Sequence, residues 1–185
     1  PYALGRWNSV PTKKTSNQLL NGTEFRFPVR FVMEKTVMLK RAWYYFLSVK
    51  TKLFGGMTIF SKIIRGEIPS YKIAENERFF AFLDVFPLRE GHVLVVPKTE
   101  TDNFFDLSSE YLQELLLFAQ PIAKAIEKSF DCNRCGISVI GLEVPHAHMH
   151  LIPINSANDL NFTQPKLKLT EERLKEIQRK ILEKL

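Results

Sequence analysis

Cysteine is scarce in this chain of 185 residues: it has only Cys132 and Cys135, both in "DCNRCG". Two cysteines build no disulfide framework. A lone CxxC, with no second Cys or His pair near it and no βαβ surroundings, is a weak zinc or redox signal. The pair reads as reduced thiols beside a turn, which fits a reducing cytosol. Long apolar runs are missing too, and none approaches the ~20 residues that a membrane-spanning helix needs. The expectation is a soluble, cytoplasmic protein with no membrane partner. No internal repeat is visible. Acidic residues are almost absent from the first 56 positions, which hold ten Lys/Arg against two Glu; residues 57–185 hold sixteen Lys/Arg against eighteen Asp/Glu. The formal charge of +6 therefore belongs to the N-terminal segment. The main body is close to neutral, which argues against nucleic acid as its partner.

What is present divides at Met57. Residues 1–56 are polar and rich in turn formers in their first half, basic and patchily apolar in the second, and carry no sustained period. Acid-poor segments of this kind can be organellar transit peptides. The paired Gly55 and Gly56 leading into Met57 instead favour Met57 as the natural start. Residues 1–56 are then an N-terminal extension, disordered or artefactual. The domain proper is expected to span residues 57–185.

From Met57 the local signals agree with one another. "TIFSKIIRGEIP" puts Ile59, Phe60, Ile63 and Ile64 on one helical face and ends at Pro69. "YKIAENERFFAFLDVF" reads as a β-hairpin turning at Glu75–Asn76–Glu77, and "GHVLVVPK" as a buried third strand. "SSEYLQELLLFAQPIAKAIEKSF" is a long helix with Ser108 as N-cap and Glu110 in its first turn, and Pro121 predicts a kink or break within it. "GISVIG" and "HAHMHLIPI" are the fourth and fifth strands. "TEERLKEIQRKILEKL" closes the chain as an amphipathic helix with Leu174, Ile177, Ile181 and Leu185 on its apolar side. Strands joined by short turns favour an α+β fold with an antiparallel sheet of about five strands.

Three of the four histidines lie in "VPHAHMHLIP". On a strand rising ~3.3 Å per residue, His146, His148 and His150 share one face about 7 Å apart, while Ala147, Met149 and Leu151 point into a core. A structural role for all three is hard to satisfy, because each buried imidazole needs hydrogen-bond partners. Zinc is a rival reading, but evenly spaced histidines diverge too far to share one ion, and His92 or Glu143 would have to complete the set. Nucleophilic attack on phosphorus is the third reading. Neutral imidazole is available near pH 7, and a neighbouring imidazole can donate to the phosphate oxygens as charge builds on them.

"HAHMHLI" resembles the His-X-His-X-His-X-X signature of the histidine triad (HIT) family. "TIFSKIIRGEIP" resembles the first helix of its Hint-like branch of nucleotide hydrolases, and "FFAFLDVFPLREGHVLVVPK" resembles the segment that holds the ribose and supplies a fourth histidine. The resemblance implies a homodimer acting on a nucleotide substrate, with purine nucleoside phosphate derivatives expected, and needing no metal or other cofactor. His148 would attack the α-phosphorus and form a covalent nucleotidyl-histidine. His150 would hydrogen-bond the phosphate, and His146 would support, with His92 turned towards it. Asp84 would accept from the ribose hydroxyls, and Ile59, Phe60, Ile63, Phe82 and Val85 would form the base slot. Without the resemblance those five read as ordinary core.

The sequence departs from the family at three places. Relatives with a structural zinc hold it with a CxxC in the first helix and a His after the "VPK" strand; here Thr58, Ser61 and Glu100 stand there, so no such zinc is expected. Ahead of the triad, "SVIGLEVPH" keeps Gly141 but has Leu142 in place of a Gln. Glu143 stands where a small hydroxyl residue usually assists the leaving group. The reaction expected is cleavage of a nucleoside phosphoramidate, nucleotide ester or dinucleoside polyphosphate, three substrates that these residues do not separate. A nucleotide-binding regulatory module with weak or no catalysis, or a zinc-dependent hydrolase, is the alternative.

Overall fold

The computed structural model describes residues 56–185. The expectations for residues 1–55 fall outside the described residues. Helix α1 (Ile59–Ile64) is followed by strands β1 (Lys72–Glu75), β2 (Phe79–Leu83) and β3 (Val93–Pro97), then by the long helix α2 (Ser109–Ser129). Strands β4 (Arg134–Ser138) and β5 (Met149–Ile154) and helix α3 (Glu171–Leu182) complete the fold. The five strands form one antiparallel sheet in the order β1-β2-β3-β5-β4, the α+β architecture expected from the sequence.

The alternation of side chains along β2 and β3 sorts them onto two faces. Phe79, Ala81, Leu83, Val93 and Val95 point to one side, where Leu115, Ala119, Ile122 and Ile126 of α2 and Leu174, Ile177 and Ile181 of α3 complete the main core. Phe80, Phe82, Leu94 and Val96 point to the other, against Ile59, Phe60 and Ile63 of α1. Both faces are thus covered, which is why β2 and β3 are buried throughout. Strand β5 follows the same rule: Met149 and Leu151 enter the main core, and His150, paired with Leu94, lies on the α1 side.

Several boundaries differ from the sequence reading. Ser108 caps α2 through Tyr111 N–H as expected, but the helix continues without a break through Pro121. The carbonyl that Pro121 leaves without its usual intrahelical partner is that of Leu117, an exposed residue on the side of α2 turned away from the core, where losing one helical bond costs least. Strand β4 begins at Arg134 because Arg134 and Cys135 pair with Ile154 and Pro153, and it ends at Ser138, so Val139–Gly141 leave the sheet. Leu185 lies beyond the end of α3 and is exposed rather than packed.

The segment between β2 and β3 is tied down from outside the sheet. Arg173 of α3 grips Glu90 with two parallel bonds of 2.8 and 2.5 Å, and Arg89 meets Asp159 at 2.9 Å. Gly91 has φ of +87°, and a Cβ there would stand 2.4 Å from the Phe130 ring. Only glycine fits that turn, which delivers His92 to the start of β3.

Candidate active site

All four histidines are buried, and their rings meet on the α1 side of the sheet. Only His150 lies within β5; His146 and His148 precede it in the connection from β4. The row of imidazoles is therefore not an open strand face, as the spacing alone suggested. It is roofed by α1, with Phe60 edge-on to His148 at 5.2 Å and to His146 at 5.8 Å between ring centres.

The hydrogen bonds fix each imidazole's proton. The Pro97 carbonyl lies 2.8 Å from Nε2 of His146 and can only accept, so that nitrogen carries the hydrogen. Nδ1 of His146 then accepts from the Thr58 hydroxyl at 2.8 Å, and the Ser61 hydroxyl, 3.0 Å from Thr58 Oγ1, is the donor in that pair. Nδ1 of His148 donates to the His146 carbonyl at 2.6 Å, leaving its Nε2 lone pair unprotonated. Leu88 N–H donates to Nδ1 of His92 at 3.3 Å, so Nε2 of His92 carries the proton and donates to Nδ1 of His150 at 2.9 Å. His150 must then hold its own hydrogen on Nε2, ready for an acceptor.

Burial pushes all four histidines towards the neutral form, His92 down to about 3 and His150 to about 2. His148 is also lowered chiefly by burial, but the His146 carbonyl and the charges of Asp84 and Glu143 pull the other way. Those three groups favour positive charge on this ring. Asp84, which accepts from Phe86 N–H at 2.8 Å, is raised by burial, and Lys166 acts against that rise. Its carboxylate stands 3.5 Å from Nδ1 of His92, a nitrogen already taken up by Leu88.

The HIT domain sequence pattern matches residues 65–157. The chain belongs to the HIT family. It is 32% identical over 129 residues to an adenosine 5'-monophosphoramidase of Schizosaccharomyces pombe, a match covering 69% of this chain and 97% of that protein. A second adenosine 5'-monophosphoramidase, from Saccharomyces cerevisiae, is 38% identical over 96 residues, covering 51% of this chain and 61% of that protein. Among solved structures, a HIT-like protein of Bartonella henselae superposes with a TM-score of 0.60 at 32% identity, covering 69% of this chain and 96% of that one.

Within this HIT domain the residues singled out in the sequence do not all converge. His92 is bonded to His150 and not to His146, because the register that sets Leu94 opposite His150 brings the start of β3 beside that ring. Ile59, Phe60, Ile63 and Phe82 pack together on the α1 side, whereas Val85 packs against the main core on the other side of the sheet. Glu143 is exposed yet its charge reaches His148; Gly141, at φ of +69°, is exposed with open space around it. Residues that the pattern passed over enter instead: Leu88 and the Pro97 carbonyl through their backbone, and Phe162, whose ring stands 4.8 Å from that of His150. Backbone donors and acceptors leave no mark in a sequence.

The metal readings can be weighed on donor chemistry. Thr58, Ser61, Glu100 and His146 do come together, with Thr58 N–H bonded to Glu100 at 2.7 Å. Two neutral hydroxyls are poor zinc ligands, and Nδ1 of His146 is already engaged, so this set does not fit the zinc of other relatives. One ligand atom each of Asp84, His92 and His150 lie within 4.8 Å of one another. The Nδ1 lone pairs of both imidazoles are spent there on hydrogen bonds. Cys132 and Cys135 are free, and burial raises both thiols, Cys135 to about 12, which makes them poor nucleophiles and ligands. No helix among the described residues is long and apolar enough to cross a membrane.

Proposed function

We propose that this protein hydrolyses a nucleotide derivative at its α-phosphate through a covalent nucleotidyl-His148. The observation that carries the reading is the 2.6 Å bond from Nδ1 of His148 to the His146 carbonyl, which leaves Nε2 as a free nucleophile. Attack by Nε2 forms an N–P bond as the bond from phosphorus to the leaving group breaks. The leaving group departs with that electron pair and takes a proton from solvent. His148 then bears positive charge, which the His146 carbonyl, Asp84 and Glu143 stabilise. Nε2–H of His150 donates to a phosphate oxygen, held in that orientation by His92. Water cleaves the N–P bond, releasing a nucleoside monophosphate and restoring neutral His148.

Two relatives described as adenosine 5'-monophosphoramidases favour a phosphoramidate with a purine base over the other substrates. Asp84 as ribose acceptor, and Ile59, Phe60, Ile63 and Phe82 as base slot, belong to the same reading. So does a cytoplasmic setting, and so does a catalytic unit of residues 57–185 that works without the first 56. A homodimer completes it. Edge strand β4 and the adjoining face of α2 expose Ile137 (52%) and Leu116 (52%), which line one shallow groove, an apolar surface that a second copy would cover.

The decisive experiment is mass spectrometry of protein quenched during turnover of adenosine 5'-phosphoramidate, with His148→Ala beside it. A nucleotide adduct on His148, with turnover lost and nucleotide binding kept in the variant, is the expected result. Turnover unchanged in His148→Ala would refute the mechanism. Binding without adduct or product would leave a regulatory nucleotide-binding module, and chelator sensitivity would revive a zinc hydrolase.

A further inference from the structure

The loop between β5 and α3 returns to the histidines. It is pinned at one end by Asp159, which receives Asn155 and Ser156 N–H and pairs with Arg89, and at the other by Leu167 N–H on the Pro87 carbonyl at 2.8 Å. Asn161 accepts both the amide and the hydroxyl of Thr163, closing a turn between these anchors. The loop thus lies over the segment that carries Asp84 and His92. Phe162 stands edge-on to both His150 and His92, with ring centres 4.8 and 6.3 Å away. The ammonium of half-buried Lys166 lies over Phe162, 4.6 Å from its centre. Nearly all of this loop follows residue 157, where the HIT match ends.

We propose that Lys166, seated on Phe162, is a specificity-determining residue that binds the phosphate of the nucleotide. The inference rests on the reading of the histidines as a nucleotide site. Neutral imidazoles donate hydrogen bonds but bring no charge to a phosphate, and Asp84 and Glu143 bring the wrong one. Lys166 supplies a cation one aromatic ring away from His150, and its field reaches Asp84, His92 and His150. The Phe162 face keeps the ammonium on the side of the loop that meets the histidines. A lysine so placed favours ligands by the charge of their phosphate and leaves recognition of base and ribose to other residues.

Binding of adenosine 5'-monophosphate and of adenosine to the full chain, measured by calorimetry, tests this with Lys166→Gln, Lys166→Arg and Phe162→Leu. Lys166→Gln is expected to weaken the monophosphate about tenfold, Phe162→Leu to weaken it less, and Lys166→Arg to keep it, with adenosine unchanged throughout. The monophosphate's salt dependence should flatten in Lys166→Gln. In turnover KM rises while kcat stays within about twofold. Equal monophosphate binding by wild type and Lys166→Gln would overturn the proposal while leaving the nucleotide site intact. Equal loss for both ligands would also overturn it, marking Lys166 as structural. Failure of the wild type to bind either ligand would refute the nucleotide site itself.

Discussion

The hydroxyl of Thr58 donates to Nδ1 of His146 at 2.8 Å, and the same residue caps α1 by accepting Ser61 N–H at 3.1 Å. One side chain therefore starts the helix that roofs the site and orients the residue whose carbonyl holds His148. Thr58→Val removes both bonds and leaves a buried imidazole nitrogen without a partner. The expected loss is about 1–3 kcal/mol in denaturant unfolding, with kcat reduced more than KM. Thr58→Ser keeps the hydroxyl and should restore most of both; equal stability of the valine variant would show that the bond contributes nothing.

Dimerisation through β4 and α2 predicts that a single charge at their shared surface separates the copies. Ile137→Glu should sediment as a monomer at concentrations where the wild type is a dimer, with its circular dichroism unchanged. A wild type that is monomeric at high micromolar concentration would refute the arrangement.

Stability should fall in mild acid. Every histidine of the chain has its folded pKa below the ordinary value of 6.5, so between that value and the folded ones the unfolded chain binds protons that the native state does not. Stability is complete above about pH 6.5 and declines as pH drops below it. Asp84, held above its ordinary range by burial, binds its proton more tightly when folded and partly offsets the slope. Melting temperatures measured from pH 7.5 to 4.5 should decrease steadily, and less steeply in His92→Gln. A flat profile would contradict the burial of these rings.

Gly91→Ala should be among the more damaging small changes in the domain. It asks for a left-handed backbone at φ of +87° and drives a methyl group to 2.4 Å from Phe130. The expected cost is about 1–3 kcal/mol, together with reduced kcat because His92 is the next residue. Adding Phe130→Leu should recover the part due to the clash and leave the part due to the backbone. No recovery would assign the whole effect to the backbone.

The sequence by itself determined the fold class, most of the elements and the identity of the histidines. Alternating apolar residues and helical periods are local signals, and in "FFAFL" and "VLVVP" they agree with the burial that the sheet imposes. What it left open were relationships between distant segments. That His92 supports His150, that Val85 lies apart from the other apolar residues, and that Phe162 reaches the histidines all depend on strand register and loop path. Neither is encoded in the spacing of a single segment. The proton positions came from the Pro97 and His146 carbonyls and from Leu88 N–H, backbone groups that every sequence contains and only the tertiary structure aims.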